Sequence, residues 1–243
     1  MIPNFSMTMN ICFILVTLIT VWLFYAAANR SNLFLIIAIA WLLVQTALGF
    51  SKFYLTSKTV PPRFALLVIP PLVLIATVFV TKRGRRFIDN LDLGVLTFLH
   101  AVRIVVEVVL LNLSMQKLVP QLMTFEGRNF DIISGITAPL VYYFGFVKPK
   151  LGRKTLLVWN FICLALLLNI VINAVLSIPS PFQKFAFEQP NIAVLYFPFV
   201  WLPCCVVPIV LFAHLAAIKQ LLNKNKSKDI LRVTLINSEH KVK

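Results

Sequence analysis

Seven continuous apolar runs divide this chain, at roughly 10–28, 33–51, 64–81, 91–113, 131–147, 155–177 and 191–218. About 20 mainly apolar residues in a helix cross the hydrocarbon core of a bilayer. Within lipid, every backbone N–H and C=O must be satisfied inside the protein, so only helices and closed barrels span it. Barrel strands would appear as ten-residue segments of alternating polarity. These runs are longer and unbroken. They predict an all-α polytopic membrane protein with seven transmembrane helices, occupying residues 1–222. Only 13% of the residues are charged, about half the share of a soluble domain. No basic stretch precedes the first run and no small-residue cleavage site follows it. It reads as a first span and not as a removable signal.

The connections carry the charge and predict an orientation. Alternate connections hold Arg30, the run KRGRR at 82–86, KPKLGRK at 148–154 and the segment from Lys219 onward, with sixteen Lys or Arg between them. The other set holds six: Lys52, Lys58, Arg63, Lys117, Arg128 and Lys184. Short loops rich in Lys and Arg stay cytoplasmic, which places the N-terminus outside and the C-terminus in the cytoplasm. The plasma membrane is the expected location. The tail 223–243 is basic and expected to be disordered. With the basic loops it is suited to anionic lipid headgroups, at about 1 kcal/mol per basic residue near the surface. The net charge of +15 is gathered between apolar runs without an aromatic-studded basic stripe, so nucleic acid is not an expected partner. The outer connections 114–130 and 178–190 are apolar enough to lie along the interface or fold back over the bundle.

The fourth run contains LHAVRIVVEVVL (99–110), with His100, Arg103 and Glu107 among valines and leucines. An ionised group at mid-bilayer costs roughly 2.5–3.5 kcal/mol or more. On a continuous helix at about 100° per residue, Asp92, Thr97, His100, Arg103 and Glu107 share an arc of about 140°. Val102, Val105, Val106 and Val109 occupy the far side. That polar face must meet other helices or water. Arg103 and Glu107 stand at i, i+4 and are expected to neutralise each other within the helix.

Polar residues of other spans fall at the depth of Glu107: Asn169 and Asn173 of the sixth span, Gln45 of the second, Tyr196 of the seventh, with Ser134 and Thr137 within reach. They predict a polar cavity in the outer half of the bundle. Arg103, Glu107, Asn169, Asn173, Gln45 and Tyr196 would line a site for a small polar ligand or ion, in a transporter or binding protein. A structural or assembly subunit, joined to a membrane protein partner, is the alternative. A lipid-modifying enzyme, or a haem b or quinone protein, is a further one. For haem, His100 and His214 would be the two axial ligands. No cofactor is favoured. No HExxH, GxSxG, P-loop or dinucleotide motif occurs, so no catalytic residue is assigned and enzyme activity stays open. Cys12, Cys163, Cys204 and Cys205 lack metal-site spacing and read as small buried hydrophobes.

Overall fold

The computed structural model describes residues 6–56 and 59–223, and among these the secondary structure is helical throughout. The basic tail lies outside the described residues. Five helices are long and apolar enough to cross a membrane. The chain is therefore a membrane protein, with lipid-facing residues such as Leu33, Ile36 and Leu43 exposed along one helix. α1 (Met7–Ala27) and α2 (Asn32–Phe50) are continuous. Ser31 Oγ accepts the Phe34 N–H and starts α2, as an N-cap serine does.

The third apolar run forms α3 (Ala65–Val80), only 16 residues long. The chain then turns through 90° into α4 (Lys82–Asp89). Thr81 makes the turn: it leaves helical geometry and its hydroxyl accepts the Gly84 N–H at 3.1 Å. A Cβ on Gly84 would stand 2.1 Å from the Val78 carbonyl oxygen, so only glycine allows the bend to be this tight. α4 carries Lys82, Arg83, Arg85 and Arg86 exposed and Ile88 buried. It is a basic surface helix and not a continuation of the span.

The fourth run is two helices, α5 (Leu93–Leu99) and α6 (Val102–Met115). Asp92 does not join the polar face. Its carboxylate accepts the Val95 N–H at 2.9 Å and caps α5. Between the two helices, Ala101, Arg103 and Ile104 donate their N–H groups to carbonyls three residues back. A 3₁₀ turn replaces the α ladder there, without proline or glycine.

The fifth run is α7 (Ile132–Tyr142), prolonged by a π-helical turn at Tyr143–Val147. At 16 residues it falls short of a full crossing. α8 (Arg153–Leu176) is the longest helix. The last begins later than the apolar run suggests: 191–200 is irregular, with a short 3₁₀ turn at Ala193–Leu195. A π-helical turn at Leu202–Val206 leads into α9 (Val207–Leu222). Pro208 has no N–H to give the carbonyl four residues earlier, that of Cys204. The Trp41 indole donates to this carbonyl instead, at 3.0 Å. Trp201 donates in return to Thr46 Oγ1 and the Leu42 carbonyl of α2. Two indoles thus fasten α2 to the turn.

The α5–α6 unit and α9 are the most buried spans, and α2 and α8 the most peripheral. α1 packs along α5 and α6, and α8 along α9, while α7 leans on α5 and α6. Gly135 sets the last approach: a Cβ there would lie 2.9 Å from Ile104 Cγ1 and 3.0 Å from the Ile104 nitrogen. α6 and α7 are therefore nearly in backbone contact beside Arg103.

Candidate functional site

The charged residues of the fourth run do turn inward. His100, Arg103 and Glu107 are each no more than 3% exposed, while Val105 and Val108 face outward. Val102, Val106 and Val109, which the helical wheel puts on the far side, are buried as well. α1 packs against that side and keeps it from lipid.

The expected pair of Arg103 with Glu107 does not form. Arg103 meets Asp131, at the head of α7, in a two-point ion pair: Nε donates to Oδ2 at 2.6 Å and Nη2 donates to Oδ1. Two causes act together. A helical Cα–Cβ bond tilts toward the N-terminus, aiming Arg103 away from Glu107, which is one turn C-terminal. Gly135 brings α7 so close that Asp131 lies within reach. The flat guanidinium then matches the carboxylate edge to edge. Asp131 belongs at a membrane border if α7 is an ordinary full span. α7 starts deeper than that, because α6 runs eight residues, about 12 Å, beyond Glu107.

The segment that closes this distance folds back into the bundle. It contains a 3₁₀ turn at Gln121–Met123, and Met123, Thr124 and Asn129 are buried. Asn129 Nδ2 donates to Glu107 Oε1 and to the Met123 carbonyl, and its Oδ1 accepts the Asp131 N–H at 3.0 Å. One asparagine thus organises both carboxylates. The segment after α8 holds this folded-back one: Ile192 and Ala193 donate to the Leu118 carbonyl, and Gln189 Nε2 to those of Ser114 and Val119.

Below Arg103 lies a histidine pair. Arg103 Nη1 stands 3.1 Å from His214 Nε2. Arginine can only donate, so this nitrogen accepts, and the proton of the His214 ring sits on Nδ1. It is given to Asn160 Oδ1 at 2.9 Å, and Asn160 Nδ2 donates in turn to the Leu156 carbonyl. The His100 ring stacks on His214, centroids 3.7 Å apart at 12°, with Trp159 beside both. The 3₁₀ turn explains the alignment, since it nearly eclipses residues i and i+3. His100 and Arg103 therefore face His214 together. Imidazoles in van der Waals contact leave no room for an iron and porphyrin between them, so the haem geometry proposed for His100 and His214 does not fit.

His100 Nδ1 and Glu107 Oε2, with Ser134 Oγ on α7, have no protein hydrogen-bond partner among the described residues. His100 stacks on the His214 ring that Arg103 contacts, and Glu107 shares Asn129 with Asp131. The remaining residues expected at the site lie elsewhere. Asn169 is exposed and donates to the Arg128 carbonyl at 2.9 Å, and Asn173 donates to Asn169 at 3.3 Å. Together they clasp the folded-back connection next to Asn129. Gln45 is buried on α2 and accepts from the Tyr54 hydroxyl. Burial, aided by the nearby Cys204 and opposed by the Gln45 hydrogen bond, pushes that hydroxyl up to about 12. Tyr196 is half-buried in the irregular stretch before the last helix. Neither Gln45 nor Tyr196 makes a hydrogen bond or ring contact with the Arg103 centre. Asp131, Asn129, Asn160 and Trp159 are the members that sequence reasoning passed over.

A family model described as a domain of unknown function (DUF8737) matches residues 60–222. That range holds α3 to α9 and the whole Arg103 centre, and leaves out α1 and α2. No curated protein and no solved structure matches the chain.

Proposed function

Because the chain belongs to the DUF8737 family, whose function is unknown, we propose its role from the site alone: it is a seven-span membrane protein that binds, and as a transporter moves, a small polar ligand or ion. In this reading the N-terminus is outside and the C-terminus cytoplasmic, following the basic residues of the connections. α3 and α7 then cross as short spans beside longer neighbours. The ligand meets Glu107 and His100, with Arg103 and Asp131 as the fixed polar floor between them. Asn129 and the Asn169–Asn173 clasp hold the outer connection over it.

One observation carries this reading. Glu107 Oε2 and His100 Nδ1 are polar atoms about 1% exposed at residue level and lacking protein partners. An unmet buried polar atom costs about 1–3 kcal/mol. Ionisable groups within membrane spans characteristically mark ligand or ion pathways. The test is the full chain in mild detergent, screened by thermal shift against small polar solutes and inorganic ions, followed by flux into proteoliposomes. Glu107→Gln is expected to keep the fold and abolish the ligand-induced shift. If Glu107→Gln leaves ligand binding unchanged, the site is not here.

A specific observation also favours the assembly-subunit reading: Arg103 is held by Asp131, His214 and the Cys163 carbonyl, as a helix-packing device would be. Under that reading no solute stabilises the protein. A second membrane polypeptide then co-purifies with it from native membranes, and loses its place when the Arg103 pair is broken.

A further inference from the structure

The bundle opens away from the polar centre. On the opposite side of α9 lies a cavity of about 520 Å³, within the range of roughly 300–1,000 Å³ usual for small-molecule sites. α2 packs on α1 and on the Leu202–Val206 turn, and α3 on that turn and α9. The space between α2 and α3 is the cleft. Trp41, Pro70, Pro71, Pro208 and Phe212 form its walls. Proline rings are rigid and supply no N–H to this surface, and Trp41 has spent its N–H on the Cys204 carbonyl. The walls thus offer hydrocarbon and almost nothing else.

One end is chemically different. Phe87 of α4 also lines the cleft, and Arg83 and Arg86 stand four residues and one residue before it. Lys82, Arg83, Arg85 and Arg86 are all exposed. None makes an ion pair among the described residues; the single acid of α4, Asp89, is taken by Lys219 at 3.0 Å. Asn29 donates to the Asn90 carbonyl at 2.7 Å. This bond fixes the α1–α2 turn, with exposed Arg30, at the end of α4. An apolar slot therefore ends on an unpaired basic shelf. That is the polarity of an anionic lipid: tail in the slot, phosphate on the shelf.

The geometry points to a binding site for one anionic glycerophospholipid of the surrounding bilayer, its acyl chain between α2 and α3 and its headgroup on Arg83 and Arg86. A zwitterionic lipid offers the same tail and less net charge, so charge decides the preference. Each arginine close to an anionic headgroup contributes about fivefold.

The test uses the full chain, delipidated in detergent and titrated with phosphatidylglycerol or phosphatidylcholine of identical acyl chains, with bound lipid counted by native mass spectrometry. The wild type is expected to retain one phosphatidylglycerol in preference to phosphatidylcholine. Arg83→Gln with Arg86→Gln should lower that preference about fivefold per arginine, while Arg83→Lys with Arg86→Lys keeps most of it. Ala40→Phe, which fills the cleft from α2, should abolish retention of both lipids without changing the melting temperature by more than a few degrees. Equal retention of the two lipids by the wild type overturns the proposal. So does a preference that survives the double glutamine variant, or retention unaffected by Ala40→Phe. If Ala40→Phe fails to fold, Ala40→Leu takes its place with the same two outcomes.

Discussion

Asp131→Asn separates the observed pairing of Arg103 from the one its own helix offers. In the structure the Asp131 carboxylate takes two hydrogen bonds and the charge of a guanidinium that is 3% exposed. Asparagine keeps one acceptor and turns an amide N–H toward a group that can only donate. Removing one partner of a buried pair costs about 3–5 kcal/mol, mostly for the charge left behind. The retained acceptor argues for the lower end, about 3 kcal/mol. Glu107→Gln behaves differently. Oε1, which Asn129 holds, survives as an acceptor, and Oε2 has no protein bond to lose, so the change is about 1 kcal/mol or less. Reversible unfolding in mixed micelles, titrated with a denaturing detergent, reads both variants on one scale. Arg103→Met with Asp131→Leu should recover most of the loss, because an apolar pair removes both charges together. The opposite ranking, with Glu107→Gln costing about 3 kcal/mol and Asp131→Asn almost nothing, would refute the Asp131 pairing and restore the i, i+4 one.

Three other outcomes follow from the packing. Gly135→Ala places a methyl group 2.9 Å from Ile104 Cγ1 and 3.0 Å from its backbone nitrogen, and should lower stability by about 1–3 kcal/mol in the same unfolding titration. Trp41→Phe removes the indole N–H from the Cys204 carbonyl and should cost about 1 kcal/mol. With Pro208→Ala present, the restored backbone donor should shrink that cost, a coupling that a double-mutant cycle measures. Tyr54 gives a pH signature. Its hydroxyl is raised from 10.0 to about 12 by folding, so above pH 10 the unfolded chain binds fewer protons than the folded one. Stability then falls as pH rises from 10 to about 12, by up to about 1.4 kcal/mol per unit. Tyr54→Phe should flatten that part of the melting-temperature curve, and an unchanged slope would place the titration elsewhere.

Much of the fold is legible in the residues, because lipid leaves the backbone few choices. Long apolar runs become helices, and the run of four basic residues within five becomes an exposed helix turned 90° from the span before it. What the residues conceal are departures from the regular helix. The 3₁₀ turn at His100 and Ala101 has no proline or glycine to announce it, so a wheel drawn through it rotates Arg103 away from His100 and misplaces Asp92. The centre was partly visible for a related reason. His100, Arg103 and Glu107 are conspicuous among valines, and their inward direction follows from charge alone. Asn129 stands near the end of the 114–130 connection and Asp131 opens the fifth run, where a polar residue is unremarkable. Only the depth at which α7 begins brings them to Arg103, and that depth depends on Gly135 meeting Ile104, a contact between helices. Gln45 and Tyr196 share a nominal depth with Glu107, but depth along a bundle says nothing about rotation around it.

The Arg103–Asp131 pair also bears on how this protein is made. Either charge presented alone at mid-bilayer depth would resist entry into lipid by roughly 2.5–3.5 kcal/mol. Joined, they cancel, so α6 and α7 enter the bilayer most cheaply as one hairpin. The two residues are 28 positions apart. At a synthesis rate of about 5–20 residues per second, α6 must wait roughly 1–6 s at the insertion site for its partner. During that interval its arginine is an open charge, and whatever shelters it then is as much a requirement of this sequence as the aspartate that later takes over.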